Sequence, residues 1–255
     1  MKLALLSDLH ANLQAVEACL AHARAQGAER VALLGDLVGY GPQPAEVMDL
    51  VQRLAAEGAV VLQGNHDEMA VSPPADTATH GNATAAWTAA QLSDAQRRYL
   101  AGLPLTWHGP QLLLVHASAQ QPERWRYVED ERSASTSLDA AQQLHGDVTH
   151  VFGGHVHHQR LFYRGAGQQL MRFDPRPGVP VPTPRHRRWL ATVGSVGQPR
   201  DGDPRAMYAL FDSRAAVLTF HRVAYDHHAA AQALRHSSLP AILAEQLAQR
   251  LENGR

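Results

Sequence analysis

The sequence of 255 residues predicts an α/β fold with two stacked sheets. Three observations carry that expectation. Up to Leu62, short apolar runs alternate with amphipathic helical stretches in a βαβαβ pattern, which implies a parallel sheet. Beyond Arg160 the spacing becomes strand after strand, which implies a second, mostly antiparallel sheet packed on the first. Chemically active residues sit just past the apolar runs, where ligands gather in sheets with parallel strands.

The elements follow in order. Lys2 to Ser7 reads as a buried strand, Asn12 to Gln26 as a helix, Val31 to Leu34 as a strand, Pro44 to Ala56 as a helix and Ala59 to Leu62 as a third strand. Asn82 to Gly102 has a helical pattern, with Ser93 placed to act as a cap. Gln111 to Val115 is a strand, Ser135 to Leu144 a helix and Val148 to Phe152 a strand. Further strands are expected at Leu161 to Arg164, Gln169 to Phe173, Trp189 to Val193, Ala206 to Phe211 and Val217 to Val223. Helices at Asp226 to Arg235 and Leu239 to Glu252 close the chain, which reads as one domain over residues 1–255. The stretch DPRPGVPVPTPRHRR, Asp174 to Arg188, carries five prolines and four arginines, so it is excluded from a central strand and expected as an extended surface loop.

Composition narrows the function. The 23 basic residues are matched by 24 acidic ones, a formal net charge of -1, which argues against general nucleic-acid or membrane-surface binding. The lone Cys19 excludes a disulfide framework and a thiolate metal site, and fits a reducing cytoplasm. The opening MKLALLSD is too short an apolar run for a secretory signal, and no stretch approaches the roughly 20 apolar residues of a membrane span. A cytoplasmic location is expected.

Five blocks at strand ends carry the chemistry. SDLH places Asp8 and His10 two apart, so that on an extended backbone both side chains point the same way. Alone, such a pair is more often a capping Asp beside a surface His. LLGDLVGYG places Asp36 after a freely turning Gly35, and LQGNHDE places Asn65, His66 and Asp67 after Gly64. LLLVHAS ends in His116, and VFGGHVHHQR supplies His155, His157 and His158. Successive strand ends therefore present Asp, His and Asn side chains suited to metal ions.

In these blocks the chain resembles the calcineurin-like metallophosphoesterases, whose motifs D-x-H, G-D, G-N-H, a lone H and G-H-x-H all stand here in order between residues 8 and 157. The resemblance implies a two-sheet αββα sandwich, with second-sheet strands and a late loop over 158–223 and C-terminal helices over 226–252. It implies that Asp8, His10, Asp36 and His157 hold one metal, and that Asp36 bridges to a second held by Asn65, His116 and His155. His66, adjacent to a ligand but directed elsewhere, is implied to protonate the leaving alkoxide. His158 faces away and is read as a bystander, and Asp67 as a turn or N-cap residue.

Two divalent ions opposed by the carboxylates Asp8 and Asp36 leave the site a charge of about +2, which favours an anionic substrate. Ions about 3.5 to 4 Å apart can share a water, lower its pKa and clamp a phosphoryl group for in-line attack by the bridging hydroxide. Four imidazole ligands favour Mn, Fe, Co, Ni or Zn over Mg or Ca. The expected function is metal-dependent hydrolysis of phosphate esters without a covalent intermediate.

The family resemblance also has gaps. Protein phosphatases and symmetrical dinucleoside tetraphosphatases of this superfamily carry an Arg in a G-D-x-V-x-R-G block, where this chain has Tyr40. Losing that bidentate fork weakens the case for a phosphomonoesterase, a serine/threonine protein phosphatase or a dinucleoside polyphosphate hydrolase. It favours the phosphodiesterase-like bacterial and archaeal group, whose late G-S-x-G loop is matched by Gly194 to Gly197. That resemblance extends to about residue 212. A nuclease is supported only by the Arg/Pro stretch, and a non-catalytic interaction scaffold is disfavoured by the complete ligand set with His66. Tyr40, His80, Asn82 and Arg200 are read as structural or solvent-facing rather than as pocket lining.

Overall fold

The computed structural model describes residues 1–165 and 169–255. The chain begins with β1 (Lys2–Leu6), α1 (Leu13–Ala25), β2 (Arg30–Leu33), α2 (Pro44–Ala56), β3 (Val60–Val61), α3 (Asn65–Val71), α4 (His80–Gln91) and α5 (Asp94–Ala101). It continues through β4 (Thr106–Gly109), β5 (Leu112–Val115), α6 (Glu131–Leu144), β6 (His150–Gly153), β7 (Gln159–Arg164), β8 (Leu170–Phe173), β9 (Pro180–Pro182) and β10 (Arg188–Val193). β11 (Ala206–Asp212), β12 (Val217–Val223), α7 (His227–Arg235) and α8 (Ala241–Asn253) complete it. Among the described residues no helix is long and apolar enough to cross a membrane.

Two mixed six-stranded sheets run in the orders β3-β2-β1-β11-β12-β9 and β4-β5-β6-β10-β7-β8. The expected two-sheet α/β sandwich is present, but the split is not by position in the chain. Strands β5 and β6 pair in parallel within the second sheet, and the late strands β11 and β12 run antiparallel beside β1 in the first. Apolar periodicity identifies strands and leaves their partners open, which is why the sequence reading assigned early strands to one sheet and late ones to the other.

Alternation of side chains explains the layers. Leu3 and Leu5 of β1 join Leu112 and Leu114 of β5, Phe152 of β6 and Phe211 of β11 in the core between the sheets. Ala4 and Leu6 face the other way, onto Val16 and Leu20 of α1 and Val47 and Val51 of α2. Leu113 and Val115 face Leu138 and Ala141 of α6. The result is helix, sheet, sheet, helix.

Other differences have local causes. The continuous helix expected over 82–102 is broken at Leu92, because Ser93 caps α5 by accepting the Gln96 N–H at 3.2 Å. Helix α3 was too short and too polar to announce itself by periodicity. The Pro/Arg stretch contains the short strand β9, which sits at the sheet edge where proline's missing N–H costs nothing.

Candidate metal centre

Parallel strands of both sheets point their C-terminal ends at one place. Asp8 follows β1, Asp36 follows β2, Asn65 opens α3 after β3, His116 follows β5, and His155 and His157 follow β6. Two groups of side chains result, Asp8 with His10 and His157, and Asp36 with His116 and His155, each with ligand atoms within 4.8 Å of one another. All six residues are buried. Asp36 links the groups, its Oδ2 lying 3.8 Å from His10 Nε2 and 3.4 Å from His116 Nε2.

Side-chain alternation is not what brings these pairs together. Asp8, His10, Asp36, His155 and His157 all adopt left-handed backbone conformations, with φ of 54°, 44°, 51°, 66° and 59°. None of them lies in a strand. Each costs on the order of 1 kcal/mol or more for a residue with a Cβ, and such strain persists where the surroundings over-determine it. The i, i+2 spacing therefore works through tight turns past the strand ends.

The surroundings that hold these turns are visible. In the Gly194–Gly197 loop after β10, Val196 N–H donates to Ser7 O, Gly197 N–H to Asp8 O and Ser195 Oγ to Asp8 O, at 2.9 Å in each case. The late G-S-x-G resemblance thus marks a clamp on the Asp8 turn. Gly154 has no positive φ; a Cβ there would collide with Ser7 Oγ and the Asp8 carboxylate, so close approach demands the glycine. Asp67, read as a turn residue, is fully buried. Its Oδ1 accepts N–H bonds from Leu37 (2.9 Å) and Val38 (3.2 Å), and its Oδ2 accepts one from Gly64 (2.8 Å), tying the Asp36 and Asn65 turns together. His158 belongs to neither ligand group and turns its Nδ1 to Val156 O of its own loop.

Hydrogen bonds fix the imidazole tautomers. Nδ1 of His10 lies 3.3 Å from Val38 O, that of His116 2.8 Å from Leu34 O, and that of His157 2.6 Å from Gln198 O. A backbone carbonyl only accepts, so each Nδ1 carries a proton, and whenever such a ring is neutral it presents a bare Nε2. His10 Nε2 and His157 Nε2 then face each other at 3.1 Å, with Asp8 Oδ1 3.1 Å from the latter and 3.8 Å from the former. Three lone-pair donors converging in a buried place repel one another unless a cation lies between them.

The orphaned atoms fit the same occupant. Asp8 Oδ1, Asn65 Oδ1, His116 Nε2 and His155 Nε2 are buried without a hydrogen-bond partner among the described residues. Carboxylate, amide oxygen and imidazole nitrogen are together a donor set for first-row transition ions. The charges are coupled. Burial would raise both carboxylates, but neighbouring imidazoles outweigh it, His157 holding Asp8 and His116 holding Asp36 below the usual range. Burial pushes His155 down to about 4, whereas against its own burial Asp36 pulls His116 up to about 9. An ion taken by His116 must displace that proton, so loading weakens as pH falls.

His66 lies beside the ligands. Its backbone N–H donates to Asp36 Oδ1 at 2.8 Å, while its ring packs on His10 and Tyr40, with centroids 5.1 and 4.4 Å away. Burial holds it below its ordinary value. Opposite, Tyr127 stacks on His155 with centroids 4.0 Å apart, and Trp125 donates its indole N–H to Glu68 at 2.8 Å. Sequence reading missed both aromatics because they lie in a loop without periodicity.

Residues 1–216 match the family model of the calcineurin-like phosphoesterase superfamily domain. The chain belongs to that family. It is 33% identical to a metallophosphoesterase from Sphaerobacter thermophilus, whose crystal structure superposes with a TM-score of 0.84 over 100% of this chain and 99% of the other. A hypothetical protein of Pyrococcus horikoshii shares the fold at 19% identity, with a TM-score of 0.77 over 100% and 98% of the chains. An uncharacterized protein of Methanocaldococcus jannaschii is 29% identical over 96% of each chain. Likeness to the first of these reaches through α7 and α8, beyond the residue 212 at which the motif resemblance stops.

Proposed function

We propose that this phosphoesterase-family chain works as a single domain that hydrolyses phosphate esters with two divalent transition ions, and that phosphodiesters are its preferred class. The convergence of His10 Nε2, His157 Nε2 and Asp8 Oδ1 in one buried place carries the reading. Asp8, His10, Asp36 and His157 would hold one ion, and Asp36, Asn65, His116 and His155 the other, with Mn, Fe, Co, Ni or Zn suited to the imidazole-rich set. When bound, the ions supply Lewis acidity to the phosphoryl oxygens and lower the pKa of the attacking water.

The protein's own groups do the rest. Asp36 sets the spacing of the two clusters, and its Oδ1 orients the turn that carries His66. His66 donates a proton to the departing oxygen as the P–O bond breaks, and the incoming water supplies the oxygen retained on phosphorus. An anionic phosphoryl group beside His66 raises its proton affinity, which offsets the effect of burial. Tyr40 in place of an arginine removes one grip on a phosphomonoester dianion, which supports the diester preference.

The test is turnover of bis-p-nitrophenyl phosphate and p-nitrophenyl phosphate by chelator-stripped protein reloaded with Mn, Ni, Co, Fe or Zn, with Asp36→Asn as control. Activity that returns with metal, is greater on the diester and is absent in Asp36→Asn is expected. Two bound ions with no turnover of either ester would sink the reading.

A further inference from the structure

The arginine missing from the turn after Asp36 has a counterpart elsewhere in the chain. Arg200, in the loop after β10, holds its guanidinium 5.6 Å from the centroid of the Tyr40 ring, and Tyr40 in turn packs on His66. Its Nε and Nη2 both donate to Gln198 Oε1, at 3.3 and 2.9 Å, while the backbone carbonyl of Gln198 accepts from His157 Nδ1. The segment that orients one imidazole of the metal centre therefore also places a cation next to His66.

Among the described residues no acid pairs with that cation. Asp201 and Asp203, its neighbours in sequence, are engaged by Arg222, and Asp203 also by Arg205. Arg250 is on α8, the helix whose Leu247 and Leu251 pack against Tyr40, and burial first, then the charge of Arg200, holds it below its ordinary value. The acids of its own helix, Glu245 and Glu252, are both taken by Arg235. Among the described residues neither Arg200 nor Arg250 forms an ion pair. Two half-buried cations at one tyrosine, Arg200 over its ring and Arg250 on the helix packed against it, are unfavourable without a carboxylate and become favourable when an anion joins them.

The helices at the end of the chain hold this arrangement in place. The apolar face of α7 and α8, including Leu234, Leu243, Leu247 and Leu251, packs against Tyr40 and against Trp87 of α4. Trp87 also donates its indole N–H to Ser238 at 2.9 Å. The hairpin thus forms part of the wall beside His66.

We propose that Arg200, with Tyr40 beneath it and Arg250 on the adjoining helix α8, is an anion subsite on the leaving-group side of the metal centre, and that it selects esters whose leaving group carries a second phosphate. The inference rests on the phosphoesterase reading above, because it is His66, as proton donor, that marks this side as the leaving-group side. A neutral leaving group leaves the pair of cations unsatisfied, whereas a phosphorylated one receives charge-assisted hydrogen bonds from the free edge of Arg200.

The experiment measures how AMP and ADP compete with bis-p-nitrophenyl phosphate for metal-loaded protein at buffered free metal. It is repeated as direct calorimetric binding, so that it can be read even if no turnover is found. ADP is expected to bind at least about tenfold more tightly than AMP to the wild type, and Arg200→Gln to bring the two within about threefold while still taking up two ions per chain. Arg250→Gln should narrow the gap in part. A wild-type preference below about threefold, or a preference that survives in Arg200→Gln, overturns the subsite. Absence of ester turnover with an intact ADP preference would instead count against the phosphoesterase reading alone.

Discussion

The backbone N–H of His66 donates to Asp36 Oδ1 at 2.8 Å, while the other oxygen of Asp36 faces His10 and His116. One carboxylate thus sets both the gap between the two candidate ligand groups and the position of His66, the proposed proton donor. His66 has no atom in either ligand group. Its replacement by Ala is expected to leave two ions bound, by elemental analysis of the purified protein, and to lower kcat by roughly 10² to 10⁴. Full turnover in a metal-replete His66→Ala sample would remove it from the mechanism.

Asp67 makes three backbone hydrogen bonds inside the fold, and losing them strands buried N–H groups of Leu37, Val38 and Gly64. Asp67→Ala is expected to destabilise the protein by about 2 to 4 kcal/mol in urea unfolding and to weaken metal retention, because both joined turns carry ligands. Unchanged stability would show that the turns hold without it.

Close approach at Gly154 gives a second structural test. A methyl group there has to displace the Ser7 hydroxyl and the Asp8 carboxylate. Gly154→Ala should cost about 1 to 3 kcal/mol and lower affinity for one of the two ions, read by metal titration, while Gly178→Ala keeps metal affinity because its side faces open space.

His150 supplies a pH dependence away from the metals. It is buried, its Nε2 lies 3.0 Å from Thr183 O and its Nδ1 2.9 Å from Thr149 Oγ1, so both nitrogens are occupied in the neutral ring. Burial lowers it to about 4. The unfolded chain, with an ordinary His near 6.5, binds more protons between those values, so stability falls as pH drops through that window, by at most about 3 kcal/mol. Denaturant titrations from pH 7 to 4.5 should show this slope, and His150→Gln should flatten it. An equal slope in both proteins rules His150 out as the source.

The sequence by itself determined most strands and most helices, missing β4 and β9, and offered seven candidate ligands with His66, because apolar periodicity and residue type at strand ends are local properties. It could not determine which sheet each strand joins, since β1 meets β11 and β6 meets β10 across long stretches of chain. It assigned the i, i+2 pairs to extended backbone, where tertiary hydrogen bonds from the Gly194–Gly197 loop instead hold strained left-handed turns. Asp67 and Arg200 looked ordinary for the same reason. The buried N–H groups around the first, and the acids Asp201 and Asp203 already taken by Arg222 and Arg205 around the second, exist only once the chain is packed together. Chemistry was legible where it depends on what a residue is, and tertiary structure decided it where it depends on what a residue is left without.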